Sequence, residues 1–181
     1  IVCVKVETPK KTLDIIIDEC KKLSSFKAYA VAHKNPYNDP DVTVNLDIVA
    51  NVELIDFASE KVIITGGEGV GIITKPGLQI PVGDYAINPV PRKMIKKNLE
   101  DKVPDGKSAK VTISIPEGRE IAKKTMNPKL GIIDGISVLG TTGIARSMSS
   151  EAYKNSIVTQ IDVAIASNLD DLIFVPGNIG E

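Results

Sequence analysis

Apolar and polar residues alternate along IVCVKVE (Ile1 to Glu7), the period of a half-buried strand. Thr8-Pro9 then has the form of a helix start, with Thr as N-cap and Pro in the first helical position. Leu13, Ile16, Ile17, Cys20 and Leu23 follow at helical spacing and predict one apolar stripe. Phe26 to His33 reads as a strand and NPYNDPD as a turn. Val42, Val44, Leu46 and Ile48 alternate again and predict a long strand running toward Leu54. Two β-rich runs, Lys61 to Thr65 and Val70 to Thr74, flank Gly66, Gly67, Glu68 and Gly69, which predicts a hairpin. Pro91 opens a short helix carrying Met94, Ile95 and Leu99. Val111, Ile113 and Ile115 form a further strand, and Glu117 to Met126 a short helix. Residues 1–126 therefore read as an α+β unit with a mixed or antiparallel sheet.

The pattern changes after Asn127-Pro128. Ile132 to Leu139 has the look of a buried strand ending at Gly140. Ser149 can cap the next helix, with Met148 and Tyr153 at the positions of a hydrophobic staple. Tyr153, Ile157, Ile161, Ala164 and Ile165 would line its buried face, and Leu172 to Val175 would form a second strand. Strand, helix and strand of these lengths predict a βαβ unit with parallel strands and a right-handed crossover. Residues 127–181 thus read as the βαβ portion of a second, incomplete α/β unit, and the fold class of the whole as α/β.

Within the first unit lies a segment rich in conformational punctuation, Gly69 to Met94. Pro76, Pro81, Pro89 and Pro91 alternate there with Gly69, Gly71, Gly77 and Gly83 around short apolar runs. Proline fixes φ and removes a donor, while glycine opens conformations barred to other residues. A long series of set turns inside an apolar-rich chain is where a ligand is expected.

Composition narrows the field. Of 181 residues, 43% are hydrophobic and 25% charged, ordinary for a globular protein, and aromatics at 4% leave Ile, Val, Leu and Ala to build the core. A net charge of −1 provides no field for nucleic acid, which weighs against a nucleic-acid-binding domain. No apolar stretch approaches the roughly 20 residues that span a bilayer. Cys3 and Cys20 sit among apolar neighbours and read as buried free thiols in a reducing cytoplasm.

Few residues have conventional acid–base or metal chemistry. His33 is the single histidine, which removes a His-based triad or multi-His metal site, and no P-loop, HExxH or nucleophile elbow occurs. Asp39 and Asp41 suit an Asx turn better than a cation site. GGEGVG lacks the spacing of a dinucleotide fingerprint and precedes a β run. The loops at the carboxyl ends of the predicted parallel strands are Gly140 to Ser147 and Pro176 to Glu181, the edge at which open sheets bind ligands. Gly140, Gly143, Gly177 and Gly180 would admit close backbone approach; Thr141, Thr142 and Asn178 offer hydrogen bonds and Arg146 a forked donor. On spacing alone, tight strand-to-helix turns explain these glycines equally well. Lys75 reads either as part of a turn or as an ammonium aimed at an anion. Arg92, Lys93, Lys96 and Lys97 read as a solvated helix face, with Arg92 and Lys93 near a helix N-terminus suited to carboxylates.

Several blocks, in order, strongly resemble one family: GVGIITKPGL, PVGDYAINPVPRKMI, EIAKKTMNPKLGIIDGISVLGTTGIARSMSSEAY and LIFVPGNIGE. They resemble the CbiD family, the cobalt-precorrin-5B C(1)-methyltransferases of anaerobic cobalamin biosynthesis, from about Asn38 to Glu181. Asn38 stands where the family usually has Asp, Val44 where it has His, and Ser147 where Pro is common. Family members are longer at both ends, so the resemblance implies an incomplete chain. It also implies S-adenosylmethionine as methyl donor and a cobalt-tetrapyrrole substrate, cobalt-precorrin-5B, converted to cobalt-precorrin-6A. On this footing Gly140, Thr141, Thr142, Gly143, Gly177, Asn178, Gly180 and Glu181 would hold the donor. Lys75, Asn88, Arg92, Lys93 and Arg146 would hold the carboxylate-rich acceptor. The alternative is a non-catalytic corrinoid-binding or carrier module. A cytoplasmic enzyme without nucleic-acid or membrane partners is expected, and homo-oligomer formation is left open.

Overall fold

The first alternating run forms β1 (Val2–Glu7), but the stretch after it is not a helix. It is β2 (Thr12–Ile17), antiparallel to β1 with Val2 opposite Ile17 and Glu7 opposite Thr12. The computed structural model describes residues 2–34, 42–140 and 150–175. Thr8 organises the turn between β1 and β2. Its Oγ1 accepts from the N–H groups of Lys10 and Lys11 at 3.3 and 3.1 Å and donates to Lys11 O at 2.7 Å. Side-chain oxygens of Thr serve helix caps and turns by the same bonds, so Thr8-Pro9 carries no helix-specific signal. The β-branched run Ile15-Ile16-Ile17 then favours extended backbone, with Leu13, Ile15 and Ile17 half-buried and Ile16 exposed.

Nine further strands and two α-helices precede residue 140 among the described residues. They are β3 (Glu19–Lys22), β4 (Lys27–His33), β5 (Asp47–Asp56), β6 (Val62–Gly66), β7 (Gly69–Val70), β8 (Ile72–Ile73), α1 (Pro89–Leu99), β9 (Lys107–Ser114), α2 (Gly118–Ala122) and β10 (Ile132–Ile133), to which β11 (Gly135–Ile136) is joined through Asp134. Five of the strands make a mixed sheet in the order β3-β4-β5-β9-β6. All neighbours are antiparallel except β6 and β9, which run parallel with Ile64 opposite Val111. A parallel pair needs a crossover, and the Gly/Pro segment with α1 provides it. A βαβ unit therefore exists, but in the middle of the chain.

One sheet face is apolar: Val62, Ile64, Ala109, Val111 and Ile113 are buried there, with Ile95 and Leu99 of α1 packed against them. The opposite face carries polar cross-strand pairs such as Lys27–Glu53, whose charged atoms lie 3.0 Å apart. An antiparallel sheet tolerates one wetted face. A second, smaller core gathers Ile73, Ile80, Ala86 and Ile132 beneath the Gly/Pro segment.

Several expectations need correction. GGEGVG makes no hairpin: β7 pairs in parallel with β11, and β8 antiparallel with β10. The cause is close backbone packing around Gly69, whose φ is +70°. An added Cβ there would lie 1.8 Å from Ile115 O, and Cβ atoms on Gly118 or Gly135 would lie 2.1 and 2.2 Å from Gly69 O. The strand expected from Val42 begins only at Asp47, because residues 42–45 turn through Asn45 at φ 62°. The NPYNDPD turn lies outside the described residues. Ile132 to Leu139 is divided at Asp134, which adopts φ 61°. Residues 132–136, placed by sequence in the second unit, pair with the Gly/Pro segment of the first.

The C-terminal βαβ unit is also not formed as expected. Its helix is present as α3 (Ser150–Ala166), but Leu172 to Val175 is no strand, and Ile173 is 88% exposed. An apolar run becomes a parallel strand only beside a partner, and none pairs with it among the described residues. On α3, Val163 and Ala164 are buried while Tyr153 and Ile165 are exposed. Apolar residues occur on more than one side of α3, so docking selected the buried one: an added Cβ on Gly77 would lie 2.6 Å from Asp162 O. Ser149 and Met148 lie outside the described residues.

Cys3 and Cys20 are free but exposed, not buried. Their strands, β1 and β3, are sparsely covered: all four residues of β3 are exposed, as are Cys3, Val4 and Lys5 of β1. Both thiols are expected to react with a disulfide reagent in the native protein. Titration of fewer than two without denaturant would contradict their placement.

The sole histidine closes β4 opposite Asp47 of β5. Its Nδ1 lies 2.8 Å from Asp47 Oδ1, and its backbone N–H donates to Asp18 Oδ2 at 2.6 Å. The Asp47 hydrogen bond raises the His33 pKa above its ordinary 6.5, and the charges of Asp47 and Asp18 act in the same direction. Folding therefore favours the protonated ring. This contribution is complete below the unfolded pKa and disappears as pH rises through the folded one. An NMR titration of the ring should give a midpoint above 6.5 that falls in Asp47→Asn; an unchanged midpoint would exclude the pairing.

Candidate functional site

The site is built where two chain segments run briefly in parallel and then part. Ile87 and Val138 form a parallel bridge. Val138 N–H donates to Ala86 O at 2.8 Å, and Asn88 N–H to Val138 O at 3.0 Å. Ile87 is fully buried, so the junction is anchored in the core. Beyond it one segment enters α1 and the other continues through Leu139 to Gly140. Diverging carboxyl ends of parallel segments leave a crevice suited to ligands.

Asn88 is the N-cap of α1, half-buried, and its side chain makes no capping hydrogen bond. Pro89 and Pro91 follow, the latter buried, and suit a first turn whose N–H groups have no helical partner. Opposite stands Gly140, exposed, at φ 139°, with nothing within 4 Å of an added Cβ. Asn88 and Gly140 thus lie on the two segments that part at the Ile87–Val138 bridge. Thr141, Thr142, Gly143, Arg146, Gly177, Asn178, Gly180 and Glu181 lie outside the described residues.

Lys75 stands apart from this junction. Its aliphatic stem lies against Gly131, and the neighbouring Thr74 donates from both N and Oγ1 to Gly131 O, at 2.8 and 2.6 Å. Arg92 has a different occupation from the one expected. Its Nε donates to Ile87 O at 2.8 Å, Nη1 to Ile64 O at 3.1 Å, and Nη2 makes a longer contact of 3.4 Å with Tyr85 O. The guanidinium fastens α1 to β6 and to the segment before the helix. Three carbonyls already take donors from it, so Arg92 is first a structural clamp.

Between α1 and the free edge of β6 lies a groove of about 320 Å³, lined by Ser59, Glu60, Pro89, Arg92, Lys93 and Lys96 among others. Ser108, fully buried in β9, fixes its far rim: its Oγ donates to Glu60 O at 2.6 Å and accepts from Ala58 N–H at 3.0 Å. Lys96 pairs with Glu60, and Lys93 is exposed without an ion pair among the described residues. Glu60 was not legible as a site residue, and Lys96 read only as solvated surface. The available signal was the spacing of Arg92, Lys93 and Lys96 on neighbouring turns of one helix. Among the described residues, no group of three or more His, Cys, Asp and Glu is arranged to hold a metal ion, and no helix is long and apolar enough to cross a membrane.

The profile of the CbiD family matches residues 2–147. This chain belongs to the CbiD family. The match includes β1 through β11, the α1 groove and the Gly140 turn. Among curated CbiD-type relatives, the cobalt-precorrin-5B C(1)-methyltransferase of Methanobrevibacter smithii is 81% identical over 181 residues, 99% of this chain and 50% of the relative. The protein of the same name from Methanosphaera stadtmanae is 56% identical over 177 residues, 98% of this chain and 46% of the relative. The crystal structure of the cobalamin biosynthesis protein CbiD from Archaeoglobus fulgidus superposes with a TM-score of 0.57 at 26% identity, covering 87% of this chain and 50% of that one. The chain spans about half the length of the curated relatives it matches.

Proposed function

We propose that this CbiD chain serves the S-adenosylmethionine-dependent methylation of cobalt-precorrin-5B at C1, giving cobalt-precorrin-6A in anaerobic cobalamin biosynthesis. The observation that carries the reading is the 81% identity, across essentially the whole chain, to a protein named for that reaction. The geometry agrees with it. Methyl transfer from a sulfonium to an electron-rich ring carbon asks for alignment and exclusion of water more than for a strong protein base. Holding two reactants in line is worth about 7–11 kcal/mol. A junction anchored by fully buried Ile87 and framed by rigid Pro–Gly turns is suited to that work.

S-adenosylmethionine supplies the methyl group as an electrophile. The residues proposed to hold the donor are Gly140 to Gly143, the first of them exposed with nothing within 4 Å of an added Cβ, together with Gly177, Asn178, Gly180 and Glu181. Asn88, whose side chain is uncommitted as a cap, would donate to the acceptor. Lys75, Lys93 and Arg146 would offer cations to its carboxylates, and Arg92 would keep α1 in place beside them. The reaction would proceed in the cytoplasm, without nucleic-acid or membrane partners.

Incubation with methyl-labelled S-adenosylmethionine and cobalt-precorrin-5B tests the reading. Label should appear in the corrinoid, and Asn88→Ala should reduce that transfer. Tetrapyrrole binding without any transfer of label by the complete CbiD protein would instead identify a corrinoid-binding or carrier module.

A further inference from the structure

We infer that the groove between β6 and α1 is an anchoring subsite for carboxylate side chains of a tetrapyrrole, with Lys93, Lys96 and the unused donors of Arg92 as its ligands. The inference rests on the methyltransferase reading for its ligand class, but its evidence is separate.

The groove borders the free edge of the sheet. Among the described residues β6 pairs with β9 on one side only, so an added β-strand is one conceivable occupant. Arg92 argues against it. The Ile64 carbonyl, which an incoming strand would need, already accepts from Arg92 Nη1 at 3.1 Å. What is left is a cavity of about 320 Å³, room for a side-chain group rather than a whole macrocycle. Its chemistry is cationic. Arg92, Lys93 and Lys96 face one acid, Glu60.

The three cations are not equivalent. A guanidinium has five N–H donors, and the carbonyls of Ile87, Ile64 and Tyr85 engage three nitrogen atoms through one bond each. Two N–H groups remain on a planar fork that cannot swing away. Carboxylates bind such forks well because direction and charge coincide. Lys93 adds a mobile ammonium at the rim. Lys96 is held by Glu60, so Glu60 occupies the position of a competing carboxylate. An incoming acid must share Lys96 with it. The backbone of Glu60 is itself fixed by buried Ser108 at 2.6 Å, so its side chain is placed where this competition can occur.

The test is fluorescence titration of the protein with uroporphyrin III, a tetrapyrrole bearing acetate and propionate groups, and with its neutral methyl ester. Binding of the free acid, weaker with salt and absent for the ester, is expected. Lys93→Gln/Lys96→Gln should weaken it about ten- to a hundredfold, and Glu60→Gln should tighten it several-fold by removing the competitor. Lys102→Gln, a distant charge change, serves as the control and should match wild type. Equal affinity of the double variant and the control would overturn the subsite, as would failure of the wild type to bind the free acid. The two readings separate cleanly. Methyl transfer unaffected by the double substitution removes the groove and leaves the reaction; wild-type binding of uroporphyrin that the double substitution abolishes, in a protein that transfers no methyl group, removes the reaction and leaves the groove.

Discussion

Replacing Gly69 by alanine is expected to cost about 2–5 kcal/mol, a large share of the stability of an ordinary domain. Two penalties combine. At φ +70° any L-residue is strained, by about 1–2 kcal/mol. The new methyl would also lie 1.8 Å from Ile115 O and 2.8 Å from Ile115 C, both backbone atoms. A flexible side chain could move aside; a peptide group between β9 and α2 cannot do so without shifting both. Overpacking of this kind costs about another 1–3 kcal/mol. Gly106→Ala separates the terms, since its φ is +72° but an added Cβ meets nothing within 4 Å. Urea unfolding should show a loss of about 1 kcal/mol for Gly106→Ala and a severe or complete loss for Gly69→Ala. Equal losses would show that three segments do not meet at Gly69.

Arg92→Met is expected to be the most damaging change at the groove, about 2–4 kcal/mol. It removes a charged donor from three carbonyls, one of them on Ile87, a residue with no exposure. Arg92→Lys should recover little, because a single ammonium cannot reach carbonyls on Ile64, Tyr85 and Ile87 together. Thermal unfolding of the three proteins checks this. If lysine restores wild-type stability, charge rather than the fork supports α1, and the clamp is wrong.

β9 was legible because its alternation has a single interpretation, whereas the alternation from Val42 to Ile48 fell mostly on the turn before β5. Val111 and Ile113 are buried as their spacing required. Other elements were ambiguous for identifiable reasons. Leu13, Ile16 and Ile17 fit a helical stripe, yet Leu13, Ile15 and Ile17 fit a strand equally well, and tertiary packing made the choice. The glycines of GGEGVG announced tight backbone but not its purpose, since a neighbouring main chain and a ligand demand the same absence of Cβ. The expected βαβ unit was real in kind but misplaced: the pairing of β6 with β9 bridges a long interval that periodicity does not span. Within the site, the role of Arg92 was hidden because its acceptors are main-chain carbonyls, which leave no trace in residue type. Glu60 comes from another element, and no short-range pattern links it to Lys96.

The helix α1 is read differently on each of its sides. Pro91, Ile95 and Leu99 are committed to the interior, and Arg92 to the strand beside it. Only the outward positions, such as Lys93, are at liberty to vary without disturbing the architecture. Substitution at those positions would change the charge that lines the groove, while the rest of that turn stays mute.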